Sequence, residues 1–440
     1  MWPYHPELLA QPVPRYTSYP TAAEFRDTPD AGAMAAALAA VDAAAPVSLY
    51  LHIPYCHAIC WYCGCNTGAA NRSARLAAYI ARLHAEIDLV AAGLGARRRI
   101  GRIAFGGGSP NAIPATAFTG LVDHLRRAFA SDEAVLSVEL DPRGFGRDWA
   151  DVLRATGVTR ASLGVQTFEP ALQAAIGRVQ PQADIVRTVA LLRDAGVESI
   201  NFDLMYGLPG QDVASLAATL DAGLALVPER LAVFGYAHVP HMVARQRRID
   251  ARDLPDGAAR FAQAAFAHER LTGAGYAAVG FDHFALPGDA LARAAIGGTL
   301  RRNFQGFTED RADVLIGLGA SAISQFPDRL LQNAKNSGAW HAAIGAGRFA
   351  TARGIARSPL DRLRGAAIEA ILCRGSADLC DLPERAAVRA RLHRFERAGL
   401  IEWHGTRLRL AAGALPYARS IAAALDAWRA VNDTRFSHAV

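Results

Sequence analysis

Six short β-rich apolar runs alternate with amphipathic helical stretches between residues 47 and 236. The runs are residues 48–53, 102–105, 135–140, 160–165, 199–204 and 231–234, and the main helical stretches are 72–92, 117–130, 170–195 and 212–226. Alternation of this kind predicts right-handed β-α-β units and a parallel sheet. Six units are too few to close an eight-stranded barrel. We therefore predict an α/β fold built on a partial, three-quarter (β/α)6 barrel.

The pattern changes after residue 240, and we predict four regions along the chain. They are an N-terminal cover segment with one helix (1–46), the barrel core (47–240), a barrel extension on the substrate side (241–355) and a C-terminal, mainly helical domain (356–440). In the extension, residues 301–306 are predicted to form a loop. In the last region, helices at 361–373 and 384–398 precede short strands at 399–401 and 407–410, and a helix is expected over 416–431. That order is typical of a winged helix.

Residues able to bind ligands recur at the ends of the predicted strands. In parallel barrels the working face lies at the C-terminal ends of the strands. The residues found there are Cys56, Gly106, Gly107, Gly108, Glu139, Asp141, Gln166, Asp203 and Tyr236-Ala237-His238. Each could be structural alone, but their shared position predicts one site on this rim.

Four of the six cysteines fall within ten residues of one another. Cys56, Cys60 and Cys63 form a C-x3-C-x2-C loop, which can hold three irons of a four-iron cluster and leave the fourth iron open. The alternative is a structural zinc site that also uses Cys65. Zinc sites usually pair C-x2-C units from separated segments, so the spacing favours the cluster. Whether Cys65 is a fourth ligand or a neighbour stays open.

Charge and hydropathy exclude some function classes. The net charge of +6 is carried by arginine, with Lys335 the only lysine, and it is spread thinly along the chain. No concentrated basic helix accompanies the winged-helix pattern, so we expect no nucleic-acid partner. The alanine-rich stretch 31–45 is too short to span a bilayer and is predicted to be a helix capped by Asp30. Without an export signal or a disulfide framework, we expect a cytoplasmic protein without membrane contacts.

The cysteine loop resembles the radical S-adenosylmethionine (SAM) superfamily, and its neighbours narrow the resemblance to the oxygen-independent coproporphyrinogen III oxidase (dehydrogenase) family. The likeness runs over nearly the whole chain. Besides Cys65-Asn66, it is carried by Pro14-Arg-Tyr-Thr-Ser-Tyr-Pro-Thr-Ala22, Gly106-Gly-Gly-Ser-Pro110, Val138-Glu-Leu-Asp-Pro-Arg143, Gly164-Val-Gln-Thr-Phe168, Asp203-Leu-Met-Tyr-Gly-Leu-Pro209, Tyr236-Ala-His-Val-Pro240, Asp282-His-Phe284, Arg302-Asn-Phe-Gln-Gly306 and Gly319-Ala-Ser-Ala-Ile-Ser324.

This resemblance implies a radical SAM barrel with a 4Fe-4S cluster on Cys56, Cys60 and Cys63, and two SAM molecules. The first SAM molecule would contact Tyr50, Gly106, Gly107, Gly108, Glu139, Gln166, Arg178, Asp203 and Ala237. Gln305 and Ile323 match residues tied to the second molecule. Tyr50 and His52 are the candidate catalytic residues. For His52, a role close to the cluster and simple packing within a strand both remain open.

The reaction implied by the resemblance is the conversion of two propionates of coproporphyrinogen III to vinyl groups by a 5′-deoxyadenosyl radical, which gives protoporphyrinogen IX for haem biosynthesis. An electron donor and an acceptor are needed, and the sequence identifies neither. Arg15, Arg245, Arg301 and Arg302 are candidates for binding propionates. By the same resemblance, residues 14–22 would cover the active site, the C-terminal domain would form a lid, and the protein would be a monomer.

Five residues depart from the usual family pattern. Ser109 and Asn111 replace threonines, Thr167 an aspartate, Gly235 an asparagine and Arg301 a histidine. Gly235 and Arg301 bear on the identity of the substrate more than on radical chemistry. The alternatives are a related haem-binding chaperone, or a radical SAM enzyme acting on another tetrapyrrole such as haem. The chaperones usually carry Phe at the position of Cys65 and lack the 14–22 segment.

Overall fold

The computed structural model describes residues 2–27, 31–95, 98–429 and 436–437. All six predicted strands are present and run parallel in one sheet, in chain order. They are β1 Val47–Ile53, β2 Ile100–Gly107, β3 Val135–Leu140, β4 Val158–Gln166, β5 Ser199–Tyr206 and β6 Arg230–Gly235. The predicted parallel α/β architecture is therefore confirmed, with strand ends that shift by at most two residues.

A seventh parallel strand, which the sequence did not predict, lies beside β1. This strand, β7, spans Val314–Leu318 and is buried throughout. It pairs in parallel with β1, so that Val47 faces Val314 and Leu51 faces Leu318. Because β1 has a parallel neighbour on both sides, all seven of its residues are buried.

Antiparallel strands extend both edges of this sheet to twelve strands. Beyond β7 lie Ile323–Phe326, Arg329–Asn333 and Thr351–Ala356. Beyond β6 lie His283–Ala285 and then Ala277–Val279. The parallel strands thus occupy the centre of the sheet, and both edges are formed by the region that follows residue 240.

Helices connect the parallel strands and pack their apolar residues on the sheet. They are α1 Ser73–Leu94, α2 Ala115–Ala128, α3 Arg147–Thr156, Pro170–Ala175, α4 Gln182–Asp194 and α5 Val213–Leu224. The predicted helix 170–195 is broken, because Gly177 has φ +64° and Pro181 precedes the new first turn. The helix α3 was not predicted; its ten residues include buried Trp149 and Leu153.

The later elements follow the sheet. They are α6 Gly257–Gly273, Ala290–Ile296, the hairpin Arg301–Asn303 and Gly306–Thr308, Ser337–Gly345, α7 Pro359–Arg374, Ser376–Asp378, α8 Arg385–Arg397, Ile401–His404, Arg407–Leu410 and Ala418–Ala422. The prediction of a loop over 301–306 is therefore wrong, because Arg301 pairs with Thr308 across the hairpin. The expected helix 416–431 is reduced to five residues flanked by 3-10 turns, and its last two residues lie outside the described ones.

The N-terminal residues pack with the C-terminal helices and with one edge of the barrel sheet. A hydrophobic cluster separate from the core of the central sheet joins Leu8, Val13 and Tyr16 to residues of α7, α8 and the helix Ala418–Ala422. The Tyr16 hydroxyl donates to Asp426 at 3.0 Å. The N-terminal region contains two helices, Pro6–Leu9 and Ala31–Ala39. The division of the chain into four regions, which end at residues 46, 240, 355 and 440, stays a prediction.

Two expectations concern the N-terminal region and the membrane. The helix predicted over 31–45 spans Ala31–Ala39, and its expected cap, Asp30, lies outside the described residues. Within the described ranges, every helix is too short or too polar to cross a bilayer.

Candidate active site

Four cysteines, the three of the predicted cluster motif and Cys65, line one cavity of about 640 Å³ at the C-terminal ends of the parallel strands. Cys56 directly follows β1, and the loop after it carries Cys60 and Cys63. Cys60 is buried, whereas Cys56 and Cys63 are half-buried. The Sγ of Cys56 lies 3.2 Å from the Thr67 hydroxyl and 3.6 Å from that of Ser109. The predicted cluster ligands therefore face a common space.

The cysteines suit an iron–sulfur cluster better than a single metal ion. In the described part of the chain, no three His, Cys, Asp or Glu side chains converge closely enough to hold a single metal ion. A four-iron cluster does not require such convergence, because each thiolate binds a different iron. Three thiols around one cavity fit that requirement.

The Sγ of Cys60 accepts hydrogen bonds from two guanidinium groups. Arg178 Nη1 lies 3.2 Å away and Arg143 Nη2 3.5 Å away. Asp141 pairs with both arginines, at 3.2 Å from Arg178 and 2.6 Å from Arg143. Burial raises the pKa of Asp141, but Arg178 and Arg143 outweigh burial and hold it below its usual value. The two guanidinium groups therefore hold the Sγ of Cys60 in place at the wall of the cavity.

Cys63 and Cys65 interact with each other. The backbone N–H of Cys65 donates to the Sγ of Cys63 at 3.4 Å. Hydrogen bonding from Cys65 lowers the pKa of Cys63 to about 6, with help from Arg245 and Arg178 and against the effect of burial. The same pairing raises the pKa of Cys65. The assignment of Cys63 as a cluster ligand, with Cys65 beside it, stays a prediction.

Three glycines at the end of β2, Gly106, Gly107 and Gly108, leave no room for a side chain because neighbouring protein atoms lie too close. A Cβ on Gly106 would lie 2.5 Å from the carboxyl carbon of Glu139, and one on Gly108 would lie 2.4 Å from the Tyr55 carbonyl oxygen. Gly107 has φ +107°, and its Cβ would lie 2.4 Å from the His52 ring. Any side chain here would displace Glu139, Tyr55 or His52. Gly107 and Gly108 line the cavity of the cysteines, whereas Gly106 packs behind it.

Besides Asp141, two further carboxylates face the same cavity. Burial raises the pKa of Glu139 to about 7, although the Gly107 N–H donates to it at 3.1 Å. Burial also raises the pKa of Asp203, which accepts hydrogen bonds from Ser162 and Asn201, both at 2.9 Å. These groups can accept further hydrogen bonds from hydroxyl or ammonium groups of a ligand.

Gln166 and Ala237 complete this wall of the cavity. Gln166 ends β4 with φ +67°, a backbone conformation that costs about 1–3 kcal/mol outside glycine and clusters at functional sites. The carbonyl of Ala237 accepts from Gln246 at 3.0 Å, and Gln246 also donates to the Tyr62 carbonyl at 2.8 Å. Gln246 thereby joins the cysteine loop to the segment after β6.

A second cavity, of about 690 Å³, shares Glu139, Gly107 and Cys65 with the first. Tyr50 and His52, on β1, and Gln305, in the hairpin, also line it. The Tyr50 hydroxyl lies 3.2 Å from His52 Nδ1, and the Asn66 carbonyl lies 3.3 Å from Nε2. Burial lowers the pKa of His52 to about 4, so the ring is neutral at pH 7.

Ile323 is the predicted residue that lies apart from the rest. Its side chain packs with Phe25, Leu330 and Ile355 rather than lining either cavity. Its backbone approaches Gly317 of β7, where a Cβ would lie 2.5 Å from the Ile323 carbonyl oxygen. Any role of Ile323 in cofactor binding therefore stays a prediction.

Sequence reasoning did not identify several residues that support the site. Thr67, Arg143 and Gln246 contact the cysteine loop through the bonds described above. Arg143 belongs to the motif Val138-Glu-Leu-Asp-Pro-Arg143, which was the available signal for it. Gln246 lies in a 3-10 helix without a motif, so no comparable signal pointed to it.

The candidate arginines for propionate binding have different surroundings. Arg15 lines the cavity of the cysteines, and Arg245 lines the second cavity. Arg301 is paired with Glu369 at 2.9 Å and Asp313 at 3.0 Å. Arg302 donates to the carbonyl of Arg15 at 3.1 Å. Arg15 is therefore the one of these four that reaches the cysteines' cavity.

At three of the positions that depart from the family pattern, the side chain has hydrogen-bond partners. Ser109 contacts Cys56, as described above. Asn111 forms two hydrogen bonds with the backbone of Asp141, at 2.8 and 3.0 Å. The Thr167 hydroxyl lies 2.9 Å from that of Thr219. These bonds hold the backbone around the cavity, and Ser109 is itself part of the lining.

Comparisons with known proteins agree with this geometry. The radical SAM superfamily model matches residues 50–222. An oxygen-independent coproporphyrinogen III oxidase of Bradyrhizobium diazoefficiens is 46% identical over 94% of both chains, and one of Paracoccus denitrificans is 43% identical over 88% of this chain and 85% of the relative. The structure of coproporphyrinogen III oxidase from Escherichia coli, described as a radical SAM enzyme, superposes with a TM-score of 0.91 at 34% identity and covers 97% of this chain and 100% of that one. The chain therefore belongs to the oxygen-independent coproporphyrinogen III oxidase family of radical SAM proteins.

Proposed function

We propose that this protein catalyses the oxygen-independent oxidative decarboxylation of two propionates of coproporphyrinogen III, giving protoporphyrinogen IX in haem biosynthesis. The observation that carries the proposal is the cavity in which Cys56, Cys60 and Cys63 meet the glycine turn and the carboxylates of Glu139 and Asp203. The similarity to oxygen-independent coproporphyrinogen III oxidases over nearly the whole chain supports the same reaction.

The family implies a 4Fe-4S cluster and SAM, and the residues present suit both. Cys56, Cys60 and Cys63 would hold the cluster through three thiolates. When bound and reduced, this pair supplies the radical that removes a hydrogen atom from a propionate. Arg178 and Arg143 keep positive charge beside Cys60. Their hydrogen bonds to its Sγ would hold that sulfur in place at the wall of the cavity.

The remaining residues of the first cavity would bind and orient SAM. Asp203 suits the ribose hydroxyls, because its carboxylate is buried and already oriented by Ser162 and Asn201. Glu139 can accept from an ammonium group beside the glycine turn. Arg178 is already paired with Asp141. If Arg178 also binds a ligand carboxylate, its guanidinium would serve both carboxylates.

We further propose that a second SAM molecule occupies the second cavity, where Gln305, Tyr50 and His52 lie. The two cavities share Glu139, so ligands in both would lie close together. His52 is neutral at pH 7 and lies between the Tyr50 hydroxyl and the Asn66 carbonyl. It would hold the Tyr50 hydroxyl in place at the wall between the ligands, rather than carry charge.

For each propionate, the balance of the reaction is simple. One β-hydrogen atom is removed, the carbon–carbon bond to the carboxylate breaks, and carbon dioxide and one electron leave. A vinyl group remains. The electron passes to an acceptor, and a separate donor reduces the cluster. We propose a cytoplasmic location, because all six cysteines are free and reduced thiols persist in that compartment. We also propose a monomer, as the resemblance to the family implies.

An anaerobic assay tests the proposed function. The reconstituted, reduced protein is incubated with SAM and coproporphyrinogen III, and the products are separated by chromatography. We expect protoporphyrinogen IX and two carbon dioxide per substrate. Cleavage of SAM without this product would indicate another tetrapyrrole substrate. Tight haem binding without turnover would indicate a chaperone.

A further inference from the structure

Four arginines gather where the N-terminal segment meets the barrel and the C-terminal helices. They come from separate parts of the chain: Arg15, Arg260 of α6, Arg302 of the hairpin and Arg419 of the helix Ala418–Ala422. Arg419 is 5% exposed. We call this group the arginine cluster. Buried like charges are costly, so such a group calls for a reason.

Three members of the arginine cluster line a small cavity of about 40 Å³, together with Tyr206, Gly235 and Asp282. Arg15 and Gly235 also line the large cavity of the cysteines. Arg15 Nη2 donates to the Gly235 carbonyl at 3.1 Å, which joins the two residues into one wall. The arginine cluster therefore lies directly beside the proposed active site.

The carboxylate in this small cavity is already engaged. Asp282 lies 2.6 Å from His283 Nδ1. Three guanidinium groups and one carboxylate thus face the cavity among the described residues that line it. Behind them, Arg302 Nη1 is buried without a hydrogen-bond partner in the described part of the chain. Burial and the nearby Arg15 lower the pKa of Arg419 to about 9.

Aromatic rings hold three of these guanidinium groups in place. Arg15 lies 5.4 Å from the centre of the Phe234 ring. Arg302 and Arg419 lie 5.0 Å and 5.6 Å from that of Phe281. Stacking on a ring fixes a guanidinium yet leaves donors on its edge for an anion. The positive charge is therefore preformed rather than induced.

Gly235 creates the space that the arginine cluster occupies. A Cβ at this position would lie 2.9 Å from the Tyr206 hydroxyl and 3.2 Å from Arg260 Nη2. Because the side chain is absent, Tyr206 and Arg260 pack directly over the backbone beside Arg15. Gly235 is also one of the positions where this chain departs from the family pattern.

We propose that Arg15, with Arg260 and Arg419 behind it, binds one propionate carboxylate of the tetrapyrrole substrate at the wall between the two cavities. The inference rests on the proposed function and adds a carboxylate site to it. A cavity of about 40 Å³ has room for a carboxylate group but not for a pyrrole ring. Two or more guanidinium groups around a carboxylate give strong, directional bonds. The bound carboxylate would fix the orientation of the substrate in the cavity of the cysteines.

The test compares Arg15→Gln with the native protein, using coproporphyrin III, the stable oxidised form of the substrate, as the probe. Binding is followed by the change in its visible absorption. We expect Arg15→Gln to weaken binding about 10- to 100-fold, as for the loss of a charge-assisted hydrogen bond. Arg15→Lys should recover part of the affinity. The matched control, Arg252→Gln, removes a charge that is 89% exposed and should leave binding unchanged.

SAM also carries a carboxylate, and a second probe separates the two sources. Equilibrium dialysis with SAM alone should give the same affinity for Arg15→Gln as for the native protein. The tetramethyl ester of coproporphyrin III, which lacks carboxylates, should bind both proteins equally. A loss of SAM affinity, or an equal loss for the ester, would overturn the proposal.

Steady-state kinetics then separate failure of this inference from failure of the proposed function. We expect Arg15→Gln to raise the KM for coproporphyrinogen III more than it lowers kcat. If the native protein turns the substrate over and Arg15→Gln has unchanged KM and binding, the carboxylate site alone is wrong. If the native protein does not act on the substrate, the proposed function is wrong. Should Arg15→Gln fail to fold, Arg260→Gln is measured in the same way, and unchanged binding overturns the proposal.

Discussion

Two half-buried carboxylates face the same interior cavity from opposite ends of the barrel, Glu139 at the C-terminal rim and Glu309 at the N-terminal end. Glu309 pairs with Arg102 at 2.6 Å and with Arg160, and Arg230 lies 3.8 Å away. Burial alone would raise its pKa, but these arginines lower it to about 2. At the rim, burial raises the pKa of Glu139 to about 7.

The opposite pKa shifts of Glu309 and Glu139 distinguish a carboxylate that stabilises the fold from one that suits a ligand. At the N-terminal end of the barrel, strands of the fold supply the countercharge for Glu309, so the pair is complete without a ligand. At the rim, Glu139 gains a hydrogen bond from Gly107 but remains in an environment that disfavours its ionised form. A buried carboxylate of this second kind suits a cationic or hydrogen-bonding ligand. Substitutions at the two ends should therefore differ in what they change.

The largest effect is expected at the rim, for Cys56→Ala. The loss of one of three thiolates should abolish cluster binding and leave no measurable turnover. In the cluster-free protein, the free energy of unfolding should change by no more than about 1 kcal/mol. Iron and sulfide analysis, with thermal unfolding, measures both quantities.

The matched control for this substitution is Cys380→Ala, which alters an exposed cysteine of the C-terminal domain. Its iron content should equal that of the native protein. Stoichiometric zinc in the purified protein, retained in Cys56→Ala, would contradict the cluster assignment and with it the functional character of the rim.

At the opposite end, Glu309→Gln should damage stability rather than chemistry. It leaves Arg160 and Arg102 half-buried with less countercharge, since Asp310 stays 3.8 Å from Arg102. We expect this to cost about 3 kcal/mol of unfolding free energy. Urea unfolding of the cluster-free protein measures this cost. Glu133→Gln is the control, because the pair Glu133–Arg99 is more than 80% exposed on both sides. That control should cost less than about 1 kcal/mol.

The sequence predicted the rim far better than the opposite end. The residues of the rim follow β-rich runs, so local pattern alone predicted that Cys56, Glu139 and Asp203 would meet. The pairs of Glu309 could not be found in this way, since its partners lie on strands that are distant in the chain. β7 was missed for a related reason. Its five apolar residues are followed by no helical pattern, and only pairing with β1 identifies them as a parallel strand.

A smaller effect of opposite sign is expected for Glu139→Gln. The amide can keep the hydrogen bond from Gly107 and removes the charge that burial disfavours. At pH 8 we expect the cluster-free protein to gain about 1–3 kcal/mol of stability, a value limited by the openness of the cavity to water. SAM binding, measured by equilibrium dialysis after reconstitution, should weaken. If Glu139→Gln were destabilised and bound SAM as tightly as the native protein, Glu139 would be a structural carboxylate like Glu309.

The smallest effect is a difference in pH dependence. The folded-state pKa of Glu139, about 7, exceeds the usual 4.5, so the native state holds this proton more tightly and stability falls as pH rises from 4.5 through 7. The folded-state pKa of Glu309, about 2, is depressed, so its contribution is present above 4.5 and is lost as pH falls toward 2. Unfolding free energies of the cluster-free protein should show both slopes. Glu139→Gln should flatten the slope between pH 5 and 7, and Glu309→Gln the slope below pH 4.5. If either variant flattened the other slope, the two carboxylates would not be the distinct groups that their surroundings indicate.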